Sequence, residues 1–167
     1  MRLNDYETTK RFEGTVVSSN LLTPPQAADE IRELVFEIVN GPELEAGQSI
    51  GIVAPGDVAF GKQEHLRLYT VAETPERTSE GSRVKIAVKR VSYIDEVSGE
   101  RYHGIASNYL CDLDAGERII ATGPFGSPFP LPVEDDANLI LVGMGTGIAP
   151  FRAFVKRLYH VRPNFSG

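Results

Sequence analysis

The sequence predicts a mainly β fold: an antiparallel barrel with one short helix, followed by the first βα unit of a parallel α/β domain. Three observations predict it. Short alternating segments separated by Gly and Pro turns recur through residues 1–136. Beyond them the chain changes character, to the unbroken apolar run Leu139-Ile140-Leu141-Val142, a glycine-rich turn and a helical stripe. The length, 167 residues, holds one complete domain plus the start of a second. The implied boundary divides residues 1–136 from residues 137–167.

Taken in order, residues 11–19 form a strand ending on Val16-Val17. The Pro24-Pro25 pair and its polar tail break the pattern into a loop with one helical turn. Residues 31–39 place Leu34, Phe36 and Ile38 on one face of a half-buried strand. Residues 49–55, 66–72, 84–88 and 118–122 are further short strands, each ended by turn residues. Many short strands of this kind suit a sandwich or a barrel, and a barrel leaves no open edge. Residues 107–114 read as a helix capped by Ser107 or Asn108 and followed by Gly116. The run 139–142 reads as a strand buried on both faces. Pro150 then opens a helix whose Phe151, Phe154, Val155, Leu158 and Tyr159 fall on one stripe. That stripe is expected to pack on the barrel or on a second chain.

Apolar residues at 41% and charged residues at 24% exclude a disordered chain. No apolar run reaches transmembrane length, and residues 1–14 resemble neither a secretory signal nor a transit peptide. The single cysteine, Cys111, excludes an internal disulfide, and a zinc ribbon or iron–sulfur cluster bound by this chain alone. A reducing, cytoplasmic setting is expected, with Cys111 a packing residue. The net charge of -6 argues against nucleic-acid binding. Arg83, Lys85, Lys89 and Arg90 form the one basic run, either a solvated strand face or an anion-attracting patch.

Three constellations carry chemistry. In Arg67-Leu68-Tyr69-Thr70, strand parity puts Arg67 and Tyr69 on one face. A guanidinium beside a phenol suits a ligand with both a phosphate and a flat ring. Gly104-Ile105-Ala106-Ser107-Asn108 stands at a helix start, where free N–H groups favour an anion. The turn from Gly143 to Pro150 lies between strand and helix but is not the common G-x-G-x-x-G fingerprint. Each is a weak signal alone.

Together, RLYT at 67–70, AVKR at 87–90, GIASNYLCDL at 104–113, TGPFG at 122–126 and GMGTGIAPFRAF at 143–154 come in the order and spacing of one family. On these segments the chain resembles the plant-type ferredoxin–NADP reductases, over roughly residues 10–160. The resemblance implies a Greek-key barrel that binds FAD, then the start of an NAD(P)-binding domain. It implies that Arg67 meets the pyrophosphate, with Leu68 beside it. Tyr69 would stack on the isoalloxazine, Thr70 would lie near its hydride-accepting nitrogen, and Thr146 would stand where flavin and nicotinamide meet; these three are the implied catalytic residues. Val88, Lys89 and Arg90 would run beside the ribityl and adenine parts, and Tyr93 would stack on the adenine, which favours FAD over FMN. Gly104, Ile105, Ala106 and Ser107 would bind the phosphates.

Three positions depart from the family pattern: Thr70 replaces a serine, Ala106 a cysteine, and Met144 a threonine. The implied activity is an oxidoreductase carrying electrons between NAD(P)H and ferredoxin or a similar iron–sulfur carrier, with this chain alone incomplete for catalysis. No metal site, nucleic-acid partner or membrane association is expected. Alternatives are a reductase feeding an oxygenase, and a flavin-less barrel acting as a binding module. Arg83–Arg90 with Arg101 is the candidate docking patch. NADP and NAD are not distinguished, because the discriminating residues of the family lie beyond Gly167.

Overall fold

The computed structural model describes residues 7–57 and 61–167. The strands are β1 (Arg11–Leu21), β2 (Ile31–Val39), β3 (Ser49–Pro55), β4 (Glu64–Thr70), β5 (Glu76–Arg77), β6 (Gly81–Lys89), β7 (Ser92–Ile94), β8 (Arg101–His103) and β9 (Arg118–Phe125). Helix α1 (Ile105–Cys111) lies between β8 and β9, and α2 (Ala149–Val161) follows a single 3-10 turn, Gly145–Ile148.

Seven strands form one antiparallel sheet in the order β4-β3-β9-β1-β2-β6-β5. Its ends are brought together by one bridge, Val71 to Ile86, and by the Ala72 N–H on the Lys85 carbonyl at 2.8 Å. Closure therefore rests on the residues just after β4, not on a full ladder. Around this ring β2 and β3 are not neighbours, nor are β6 and β9, so the connections cross as in a Greek key. The β6–β9 crossing carries the β7–β8 hairpin and α1.

Period-2 patterning builds the core. Leu34, Phe36 and Ile38 of β2 face Val84, Ile86 and Val88 of β6, all essentially buried. Ile50 and Ile52 of β3 join them, and α1 adds Leu110 and Cys111. Burying an aliphatic side chain of this size is worth roughly 1.5–3 kcal/mol, so this shared interior holds the strands that carry the site.

Four expectations need correction. Residues 139–142 form no strand and are exposed, Ile140 at 89% and Val142 at 81%. The run reads in sequence as the first strand of a parallel sheet, but every ladder among the described residues is antiparallel, so no parallel neighbour pairs with it there. Second, α1 begins earlier than the cap residues suggest, after Gly104. Ser107 and Asn108 lie inside it and donate backwards to the Gly104 carbonyl, at 3.3 and 2.7 Å. Third, α1 ends at Cys111 with Asp112 as its C-cap, and Gly116, at φ +93°, belongs instead to the turn into β9. Fourth, residues 22–30 contain turns and bends but no helical turn.

Helix α2 starts as expected, with a proline in its first turn. Only part of its stripe is covered: Phe154 and Leu158 are buried against Phe129, Leu131 and Phe165, while Tyr159 is 49% exposed. Ion pairs tie the helix to the barrel. Arg152 reaches Glu33 at 3.1 Å and Glu73 at 3.3 Å, and Lys156 reaches Glu73 at 2.9 Å.

Candidate functional site

Strand β4 carries the site because alternate side chains along it share one face of the sheet. His65, Arg67 and Tyr69 share one parity, in register with Ala54, Ile52 and Ile50 of β3. All three border a groove of about 880 Å³ whose far wall is the β7–β8 hairpin and the start of α1. A second cavity, of about 520 Å³, lies between β4, β6 and the 144–150 segment. Leu68, Tyr69, Val91 and Ser107 border both, so the two cavities adjoin.

The larger groove has a cationic side and an aromatic side. Lys62, His65 and Arg67 stand at the first, with Asp57 nearby. The Arg67 Nε–H donates to His65 Nε2 at 3.1 Å. At the second, Tyr93 and Tyr102 stack at 5.5 Å with ring planes 20° apart. They face each other in register across the hairpin, whose turn is held by the Val97 and Ser98 N–H groups on Asp95 Oδ1, at 2.9 and 2.7 Å. Gly104, Ile105, Ala106 and Ser107 border the same groove. At Gly104 a Cβ would stand 2.9 Å from Ser107 Oγ, so the close turn suits glycine. Ser107 Oγ in turn accepts the Val91 N–H at 3.2 Å and fixes the hairpin against α1.

At the junction, burial pushes the Tyr69 phenol up to about 12, so the ring is neutral at physiological pH. Its body packs on the barrel core. Thr70 and Thr146 border the second cavity with Met144 and Lys89. Thr70 Oγ1 lies 3.3 Å from Ser49 Oγ, within hydrogen-bond distance. Lys89 is ion-paired to Asp29 at 2.6 Å.

Two of the expected site residues stand apart. Val88 is a core side chain, 1% exposed, and borders neither cavity. Arg90 also borders neither; it is held by Glu30 at 2.7 Å, Asp112 at 2.8 Å and the Asn108 amide oxygen at 3.1 Å. The basic run is likewise not an open patch. Arg83 pairs with Glu37 at 2.9 Å, and Lys89 and Arg90 have the acidic partners just named. Burial pushes the Cys111 thiol up to about 11, which suits packing rather than chemistry. Sequence reasoning missed Lys62, His65, Tyr102 and His103. His65 was within reach by strand parity from Arg67.

No family model matches the chain. It is 37% identical over 159 residues to a ferredoxin–NADP reductase of Spirulina sp., covering 94% of this chain and 54% of that protein. It is 34% identical over 158 residues to a chloroplastic ferredoxin–NADP reductase of Mesembryanthemum crystallinum, covering 94% and 43%. The ferredoxin–NADP+ reductase structure from Plasmodium falciparum superposes with a TM-score of 0.71 at 24% identity, over 97% of this chain and 57% of that one. The chain thus spans about half the length of the curated relatives it matches. The family resemblance carried by the motifs is borne out: over nearly its whole length this chain resembles ferredoxin–NADP reductases.

Proposed function

We propose that this chain is the FAD-holding portion of an oxidoreductase that passes electrons between NAD(P)H and a ferredoxin-like iron–sulfur protein. The observation that carries the reading is the juxtaposition of Arg67 and Tyr69 on one strand face, bordering a groove that Gly104–Ser107 also borders. The donor set fits a flavin dinucleotide along its length: cations for a pyrophosphate, an aromatic ledge for an adenine, and a neutral phenol for a tricyclic ring.

Arg67 would grip the pyrophosphate, with Gly104, Ile105, Ala106 and Ser107 forming the opposite bank. Tyr69 would offer its face to the isoalloxazine from the junction of the two cavities. Tyr93, backed by Tyr102, would support the adenine, which selects FAD over FMN. Leu68, Thr70, Lys89 and Thr146 would line the ring end, with Tyr69, Thr70 and Thr146 nearest the reacting edge. Bound FAD would supply the hydride and one-electron chemistry. The chain's own residues would bind it, orient it and limit water. Val88 and Arg90 are left to the framework.

Residues 1–136 are then the flavin barrel and residues 137–167 the opening of an NAD(P)-binding domain. The exposed run 139–142 accords with a strand whose partners belong to that domain. Among the described residues no helix is long and apolar enough to cross a membrane.

The test is direct. Added FAD should bind the purified chain with quenched flavin fluorescence. A chain that leaves FAD fluorescence unchanged at tens of micromolar protein would favour the flavin-less barrel. The chain alone should not turn over NADPH at a normal rate; a full diaphorase rate would contradict the proposed division of labour.

A further inference from the structure

We infer that His65 is a proton-linked ligand of the pyrophosphate: it accepts from Arg67 as arranged here, and on taking up a proton turns donor toward the anion. The inference rests on the flavin reading of the groove and assigns it one more binding residue.

His65 and Arg67 are two positions apart on β4 and border the same groove. Nε2 of His65 receives the Arg67 Nε–H at 3.1 Å, so it carries no proton and the ring's N–H is on Nδ1. The bond uses one of the five guanidinium donors and leaves the two terminal NH2 groups for an oxyanion. The ring is half-buried, held on the cationic side of the groove.

The charges around it set the direction. Arg67 and Tyr69 face the groove from β4 itself, Asp57 and Lys62 from the preceding segment, and Tyr93, Tyr102 and His103 from the hairpin. Burial, then Arg67, then Lys62 push His65 below its ordinary value, so beside these cations the neutral acceptor is the stable form. A pyrophosphate brings two negative charges to the same place and reverses that field. The imidazolium is then favoured, and both ring nitrogens become donors. FAD binding should therefore take up a proton. The diester itself does not titrate near neutrality, so the proton must go to the protein.

The sign follows. His65 titrates lower without the dinucleotide and higher with it. FAD affinity is highest below both values, lowest above both, and falls by up to about tenfold per pH unit between them. Riboflavin, which lacks the pyrophosphate, should show no such slope.

The experiment is calorimetric titration of the chain with FAD and with riboflavin at several pH values spanning the ordinary imidazole range, each in two buffers of different ionisation enthalpy. Expected are a net proton uptake with FAD, none with riboflavin, loss of the uptake in His65→Gln, and its retention in His103→Gln. FAD binding without uptake, uptake that survives His65→Gln, or uptake lost in His103→Gln alone would overturn the role of His65 while leaving the flavin reading intact. Riboflavin binding with no FAD binding at any pH would overturn both.

Discussion

Glu73 is the acidic anchor on which α2 sits, and neutralising it should loosen the wall of the second cavity. The side chain is 14% exposed and receives Lys156 at 2.9 Å and Arg152 at 3.3 Å. Burial pushes its carboxyl up, yet Lys156 and Arg152 outweigh that and hold it below the ordinary range. Both cations are half or more exposed, so each pair is worth only ~0.2–1 kcal/mol. Glu73→Gln keeps the shape and removes both, about 0.4–2 kcal/mol in all. That corresponds to a rise of roughly two- to thirtyfold in the undocked population of α2. Hydrogen exchange of the α2 amides reads this population when opening is local. We expect exchange in residues 152–158 to accelerate by that factor, with β2 and β6 unchanged. Salt at 1 M should act in the same direction, because exposed pairs are screened. Exchange at the wild-type rate in Glu73→Gln would show that the helix is seated without Glu73, by the Arg152–Glu33 pair and the apolar contacts with Phe129, Leu131 and Phe165, and would refute the reasoning.

Other predictions follow from the interior. Thr122 Oγ1 is buried without a hydrogen-bond partner among the described residues. Thr122→Val should leave the melting temperature unchanged or raise it, whereas a loss above about 1 kcal/mol would reveal a bonded hydroxyl. Cys111, buried and with its thiol pushed up to about 11, should resist a thiol reagent at pH 8 until the chain unfolds; prompt labelling of the native protein would contradict its placement. Hydrogen bonds from Arg90 and then Arg32 hold Glu30 below its ordinary 4.5. The stability it lends is present above the unfolded-state value and is lost as pH falls through the lower folded one. Glu30→Gln should therefore flatten the acid limb of a pH–stability curve, and an unchanged limb would count against the Arg90 lock.

The barrel was legible where burial writes a period of two. Residues 31–39 alternate Leu34, Phe36 and Ile38, and the observed β2 has those bounds. The β7–β8 hairpin was not legible, because all six of its strand residues are exposed and no apolar alternation marks them. Its order comes from the Tyr93–Tyr102 stack and from Asp95, contacts that depend on register. The basic run misled for a similar reason: β2 pairs with β6 so that Glu37 stands opposite Arg83, a neutralisation that no linear charge count can show. The run 139–142 has the composition of a buried strand, but composition cannot supply the neighbours. At the site, parity alone placed Arg67 and Tyr69 together, and the same rule extended one step back reaches His65. Arg90 looked like a ligand in the motif; its acidic partners, Glu30 and Asp112, stand far off in sequence, just before β2 and just after α1.

The ratio of FAD to riboflavin affinity in Arg67→Ala decides whether Arg67 grips the pyrophosphate of a flavin dinucleotide. A charge-assisted bond is worth about 1.5–3 kcal/mol, so FAD should bind roughly ten- to a hundredfold more weakly in the variant while riboflavin affinity holds. An FAD-to-riboflavin ratio equal to that of the parent chain would contradict the account.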